Sequence, residues 1–185
     1  MFYCPIGSIL YRQVLESNGE LKYLGNYGDS LFIAVSSLPD LVKIRTFEAA
    51  TGILVEERAF TATITHVGES KSNIFLIDAS SKHPEITVSS VNLEEDEKDG
   101  FKSSRSIKLE SKEPAICQVS SEFLICSQKN IITVINLENG SVSRKTLEDG
   151  FEVSEISTSG SGKIPAVLLT GKKGVQIFYI LKNDK

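Results

Sequence analysis

The sequence predicts an all-β fold built from a repeated four-stranded antiparallel unit, and three observations predict it. Apolar residues come in short, β-branched runs separated by Gly, Asn, Asp, Ser and Pro, which is the punctuation of strands and turns. A hairpin closing on a glycine recurs along the chain, at Gly7, Gly52, Gly100 and Gly140. The spacing is regular: Gly52 follows Gly7 by about 45 positions, and Gly140 follows Gly52 by about 88, twice a period of about 44.

In chain order, strands are expected near 20–25, 31–36, 41–48, 53–60, 62–67, 73–78, 85–93, 102–109, 114–119, 122–127, 131–137, 141–147, 151–157, 164–170 and 174–181. Only Phe47 to Ala59 could be taken for a helix. The Thr51-Gly52 break and the β-branched residues around it argue for a hairpin. LVKIRTFEAATGILVEERAF (41–60) and IITVINLENGSVSRKTL (131–147) share one pattern. Each has an apolar strand, an acidic or polar residue, a turn closing on Gly, and a more polar strand. EITVSSVNLEEDEKDGFKSSRSIKL (85–109) repeats it with a longer acidic loop ending at Gly100, and PIGSILYRQVL reads as the second half of such a unit.

Four short strands in about 44 residues are the mark of a β-propeller blade. One blade is a small twisted sheet that cannot bury both faces alone, so each packs on its neighbours. Its first three strands should then be apolar on both faces, as in LFIAV, NIFLID and PAVLLT. The outermost strand should be polar, as in FKSSRSIKL and SVSRKTLED. The chain is thus expected to hold an outer strand (8–15), blades at about 20–60, 61–109 and 113–147, and an incomplete blade at 151–181. Closed rings have about 4–8 blades. The count fits a minimal ring or, the expectation here, a partial propeller whose end blades expose faces for self-association.

Composition narrows the function. The 185 residues are 41% hydrophobic with a formal net charge of -4, enough for a core and without the basic stripe of a nucleic-acid binder. No apolar run approaches the ~20 residues of a membrane span. The chain opens on no signal-peptide pattern, so any targeting signal is expected outside this sequence. Cys4, Cys117 and Cys126 form no CxxC, which makes zinc unexpected. The last two sit in apolar strand candidates and are expected as buried free thiols. The cysteines do not disclose the compartment.

No chemical constellation emerges. His66 and His83 lack nucleophile or metal spacing and are expected as structural histidines. The acidic run Glu94 to Asp99 lacks the alternating ligand spacing of a calcium loop and reads as a solvated hairpin tip. Ser-Gly-Ser-Gly (159–162) lacks the Lys-Ser/Thr and helix of a phosphate loop. Gly171-Lys-Lys-Gly174 is expected as a two-residue hairpin tip. Asn139-Gly140-Ser141 is the one N-x-S/T sequon and also the favoured pair of a type I′ turn. No catalytic residue, metal or cofactor is expected.

The unit has neither the Trp-Asp and Gly-His marks of WD40 repeats nor the Gly-Gly of kelch repeats. It resembles the quinoprotein-dehydrogenase-like repeat, in which a Trp usually follows the glycine. Here Tyr11, Val55 and Ser143 take that place, so the resemblance is one of fold. A closer likeness runs through Tyr23 to Gly25, then Val42, Ile44, Phe47, Gly52, Ile53 and Val55, then EFLICSQ, IITVINLENG and VQIFYIL. In that order they resemble the subunit 1 family of the ER membrane protein complex, whose luminal amino-terminal region is built from propellers. The resemblance implies a non-enzymatic scaffold in the ER lumen, part of a membrane-protein insertase, with sister subunits or clients as partners and Asn139 open to glycosylation. Without it, a cytoplasmic scaffold stays open. The alternative is a fragment of a quinoprotein-type propeller enzyme lacking its cofactor site.

Overall fold

The computed structural model describes residues 19–70, 73–80, 85–94, 103–109, 115–120, 122–148, 151–158 and 166–179. Gly7, Gly100, Cys4, His83, the strand at 8–15, most of the acidic run and the Ser-Gly-Ser-Gly stretch lie outside them. The described chain is all-β and falls into two compact units, residues 1–64 and 65–185.

The first unit holds one antiparallel sheet in the order β1-β2-β3-β4, with β1 Glu20–Tyr27, β2 Leu31–Leu38, β3 Leu41–Glu48 and β4 Leu54–Phe60. Strand side chains alternate between faces, and the sequence uses the two faces differently. Ile33, Val35, Val42 and Ile44 are buried on one. On the other, Arg45 sits opposite Glu57 in the ladder and donates from Nε to Oε2 at 2.5 Å. Lys43 lies 3.7 Å from the same carboxylate. The ambiguous stretch after Phe47 is a hairpin.

The second unit holds three sheets. The first is β5 His66–Ser70, β6 Asn73–Asp78, β7 Glu85–Asn92 and β8 Ser103–Lys108, in sequential order. Next come β9 Ile116–Ser120, β10 Phe123–Gln128, β11 Ile131–Asn136 and β12 Val142–Thr146, again sequential. The third has three strands, β13 Val153–Thr158, β14 Ala166–Gly171 and β15 Gly174–Tyr179. All pairings are antiparallel, and Gly171 pairs with Gly174 across the expected Lys172-Lys173 tip.

Alternation sends one strand's residues into two cores. Leu124, Cys126 and Ile135 join Phe75, Ile77, Ile86, Val88 and Ile107 between the β5–β8 and β9–β12 sheets. Their neighbours Phe123, Ile125 and Ile132 turn the other way, onto Ile156, Val167 and Leu169 of the β13–β15 sheet. This is why β10 is buried at every position. At about 1.5–3 kcal/mol for each fully buried aliphatic or aromatic side chain, face-to-face packing is the main force joining these sheets.

Three expectations need correction. The strand read at 62–67 is β5 at His66–Ser70. Ile64 is buried, but the ladder begins only where Thr65 N–H reaches Ile77 O at 2.8 Å; the apolar residue signalled burial, not pairing. The first strand of a sheet is not always buried on both faces either: β5 has three buried positions of five. In β9 and β13 buried positions are the minority, since a strand face is buried only where another sheet is stacked on it. The third correction concerns the cysteines. Cys117 and Cys126 face each other across β9 and β10, Cα atoms 4.2 Å apart, and are joined by a disulfide. The apolar strand context gave burial correctly for Cys126 but hid the register that pairs the two.

Candidate interaction surface

The glycine hairpins share one geometry. Gly52 N–H bonds Glu48 O and Glu48 N–H bonds Ile53 O, at 2.8 and 2.9 Å. Gly140 N–H bonds Asn136 O and Asn136 N–H bonds Ser141 O, again at 2.8 and 2.9 Å. Gly52 and Gly140 have φ of 71° and 74°, the left-handed region that glycine enters without a Cβ penalty. The type I′ expectation fails at Asn139, which is absent from the positive-φ residues. Instead the Asn136 carboxamide oxygen accepts from the backbone N–H of Glu138 and Asn139, at 2.9 and 3.0 Å. That holds the turn right-handed until Gly140. Asn139 is exposed, and its Oδ1 accepts from Ser141 N–H at 2.8 Å.

Polar groups at the seam between the β5–β8 and β9–β12 sheets act as ties. His66 Nε2 lies 3.1 Å from Cys117 O and Nδ1 lies 2.9 Å from Thr65 Oγ1. A carbonyl can only accept, so Nε2 carries the proton there. Ser70 Oγ donates to Glu138 Oε1 at 2.5 Å, and Arg105 Nη2 donates to Glu138 O at 3.2 Å. Arg144 Nη2 reaches Lys108 O at 3.1 Å. His66 is thus placed structurally, as expected from its lone position in a strand. Among the described residues there is no group of three His, Cys, Asp or Glu placed to hold a metal ion. No helix among them is long and apolar enough to cross a membrane.

In the second unit an exposed apolar surface lies on the third sheet, while in the first unit Leu24, Ile53, Leu54 and Val55 are exposed. Leu168 pairs with Ile177, and with Val175 and Tyr179 they are 37%, 60%, 58% and 67% exposed. On the other side of β15, Phe178 carries the Lys145 ammonium 4.6 Å from its ring centroid. Beside that contact lies a groove of about 240 Å³, lined by Ile132, Val134, Lys145, Val167 and Phe178 among others. Sequence reasoning anticipated exposed end faces but not this groove, since its walls come from strands of two sheets.

Neither a protein-family model nor a curated protein matches the sequence. Solved β-propellers do match the fold. Hsv2 of Kluyveromyces lactis aligns with a TM-score of 0.59 at 14% identity, over 95% of this chain and 53% of that one. The Cps50 (Swd1) β-propeller domain of Myceliophteria thermophila gives 0.54 at 11%, over 89% and 55%. BBS1N, solved in complex with ARL6DN, gives 0.57 at 13%, over 91% and 54%. The chain therefore has the fold of a partial β-propeller and spans about half the length of these chains. These neighbours are WD40-like, although this sequence lacks the Trp-Asp and Gly-His marks. What it shares with them is the four-stranded blade.

Proposed function

We propose that this chain is a non-enzymatic propeller scaffold that binds other proteins. The observation carrying the reading is the uncovered apolar face made by Leu168, Val175, Ile177 and Tyr179. Such patches on folded proteins mark interaction sites. A propeller neighbour bound to a protein, BBS1N with ARL6DN, supports the same kind of use. The polar groups at the sheet seam are engaged in holding blades together. In the finer reading, the chain belongs to the luminal part of an ER membrane-protein insertase complex. Besides the sequence resemblance, a Cys117–Cys126 disulfide suits an oxidising compartment, and the Asn139 sequon lies exposed on a hairpin.

The test is tagged expression followed by protease protection in microsomes and endoglycosidase treatment. The chain should be protected and should lose mass, and Asn139→Gln should abolish the mass shift. A protease-accessible, unglycosylated chain with free thiols would move the reading to a cytoplasmic scaffold. Pyrroloquinoline quinone with Ca²⁺ should leave the melting temperature unchanged; a rise of several degrees would revive the quinoprotein enzyme.

A further inference from the structure

Resting on the scaffold reading and deepening it, we infer that the β15 edge and its neighbouring groove form a docking slot for one extended segment of a partner protein. That segment is apolar toward the exposed face and carries carboxylates around one apolar anchor toward the groove.

The β13–β15 sheet corresponds to β9–β11 of the sheet before it. In the β9–β12 sheet the polar strand β12 pairs with β11, and Val142 sits opposite Ile135. Val142 packs against the core that Ile107 of the preceding sheet completes. Counted from their two-residue hairpins, β14 and β15 correspond to β10 and β11, so Phe178 stands where Ile135 stands. Among the described residues β15 has β14 as its one sheet neighbour. A strand added to β15 as β12 is added to β11 would set a side chain opposite Phe178, at the groove.

The edge is chemically open. Gly-Val-Gln-Ile-Phe-Tyr (174–179) holds no charge and no proline, the two devices that commonly block strand addition. Main-chain hydrogen bonds to such an edge supply affinity, and pockets for alternate side chains supply specificity. Here one set of side chains would cover Val175, Ile177 and Tyr179. The other would seat an apolar anchor over Phe178, with its next neighbours on the same face near Lys145. Lys145 lies over Phe178, the Arg144 guanidinium reaches Lys108 O on the other face of β12, and no acid lines the groove, so carboxylates near Lys145 are complementary and ammonium groups are not.

The experiment uses the purified chain and two fluorescein-labelled peptides, VEVLVEV and VKVLVKV, followed by fluorescence anisotropy. The glutamate peptide should bind at least about tenfold more tightly than the lysine peptide. Lys145→Glu, an exposed change on β12, should erase or reverse that preference while circular dichroism stays the same. Ile177→Lys should weaken both peptides. Equal binding of the two peptides, or a preference untouched by Lys145→Glu, would overturn the slot. Sedimentation should show a monomer; a concentration-dependent dimer abolished by Ile177→Lys would overturn the partner reading in favour of a second copy. If the chain still assembles with protein partners when Lys145→Glu and Ile177→Lys are combined, the slot falls and the scaffold reading stands.

Discussion

The β9–β12 and β13–β15 sheets share a strand pattern and differ in what surrounds them. Both have an inner strand, then a pair joined by a two-residue hairpin. Ile125 and Leu168 occupy the same place on the same outward face, yet Ile125 is fully buried and Leu168 is 37% exposed. The first sheet is covered on both faces by sheets of its own unit, carries a fourth strand and is crosslinked by Cys117–Cys126. Among the described residues of this unit, the second is packed against another sheet on one face. Equivalent residues in one repeat thus have different energetic weight, because burial belongs to the neighbour as much as to the residue.

The largest test of that contrast is Leu124→Ala against Leu168→Ala. Leu124 is fully buried between two sheets, so its truncation should cost about 2–5 kcal/mol in urea unfolding. Leu168→Ala should cost less than about 1 kcal/mol. Equal costs would mean that the third sheet's outer face is covered in solution. Reduction of Cys117–Cys126, with a sequence separation of 9, should lower stability by about 2–3 kcal/mol in the loop-entropy account. Comparing melts with and without reductant measures it, and the Cys117→Ala, Cys126→Ala double variant should ignore the reductant.

A smaller effect is expected at Gly140. Gly140 has φ of +74° and a Cβ there would meet the end of the Arg105 side chain, so Gly140→Ala should cost about 1–2 kcal/mol. Adding Arg105→Ala should recover little of the loss, because the flexible guanidinium can move aside and the cost lies in the backbone. The smallest is Ile177→Ser, which should shift stability by no more than about 0.5 kcal/mol. It should still reduce binding of a hydrophobic dye, because Ile177 is 60% exposed. A large loss of stability would show that β15 is covered.

Much of the fold was legible because its signals are local. Short continuous apolar runs such as NIFLID and FLICSQ, bounded by turn residues, gave strands at or near their observed ends. The candidate surface was less legible. Lys145 meets Phe178, His66 meets Cys117, and Ser70 meets Glu138, pairs brought together by sheet stacking at separations no spacing rule reaches. The turn at Asn139 was misread for a different, local reason: Asn136, three residues earlier, holds the turn right-handed through two backbone bonds.

By itself the sequence determined the all-β class, the four-stranded repeat of about 44 residues and the polar outer strands, since each follows from alternation and turn chemistry within one hairpin. It also fixed the hairpin glycines at 52 and 140, where only a residue without Cβ enters φ near 70° freely. Tertiary structure alone decided that Cys117 and Cys126 are joined, because register sets which residues face each other across strands. It also decided that Ile125 is core while Leu168, at the same place in the repeat, is surface: a sheet face is buried only where another sheet is stacked upon it.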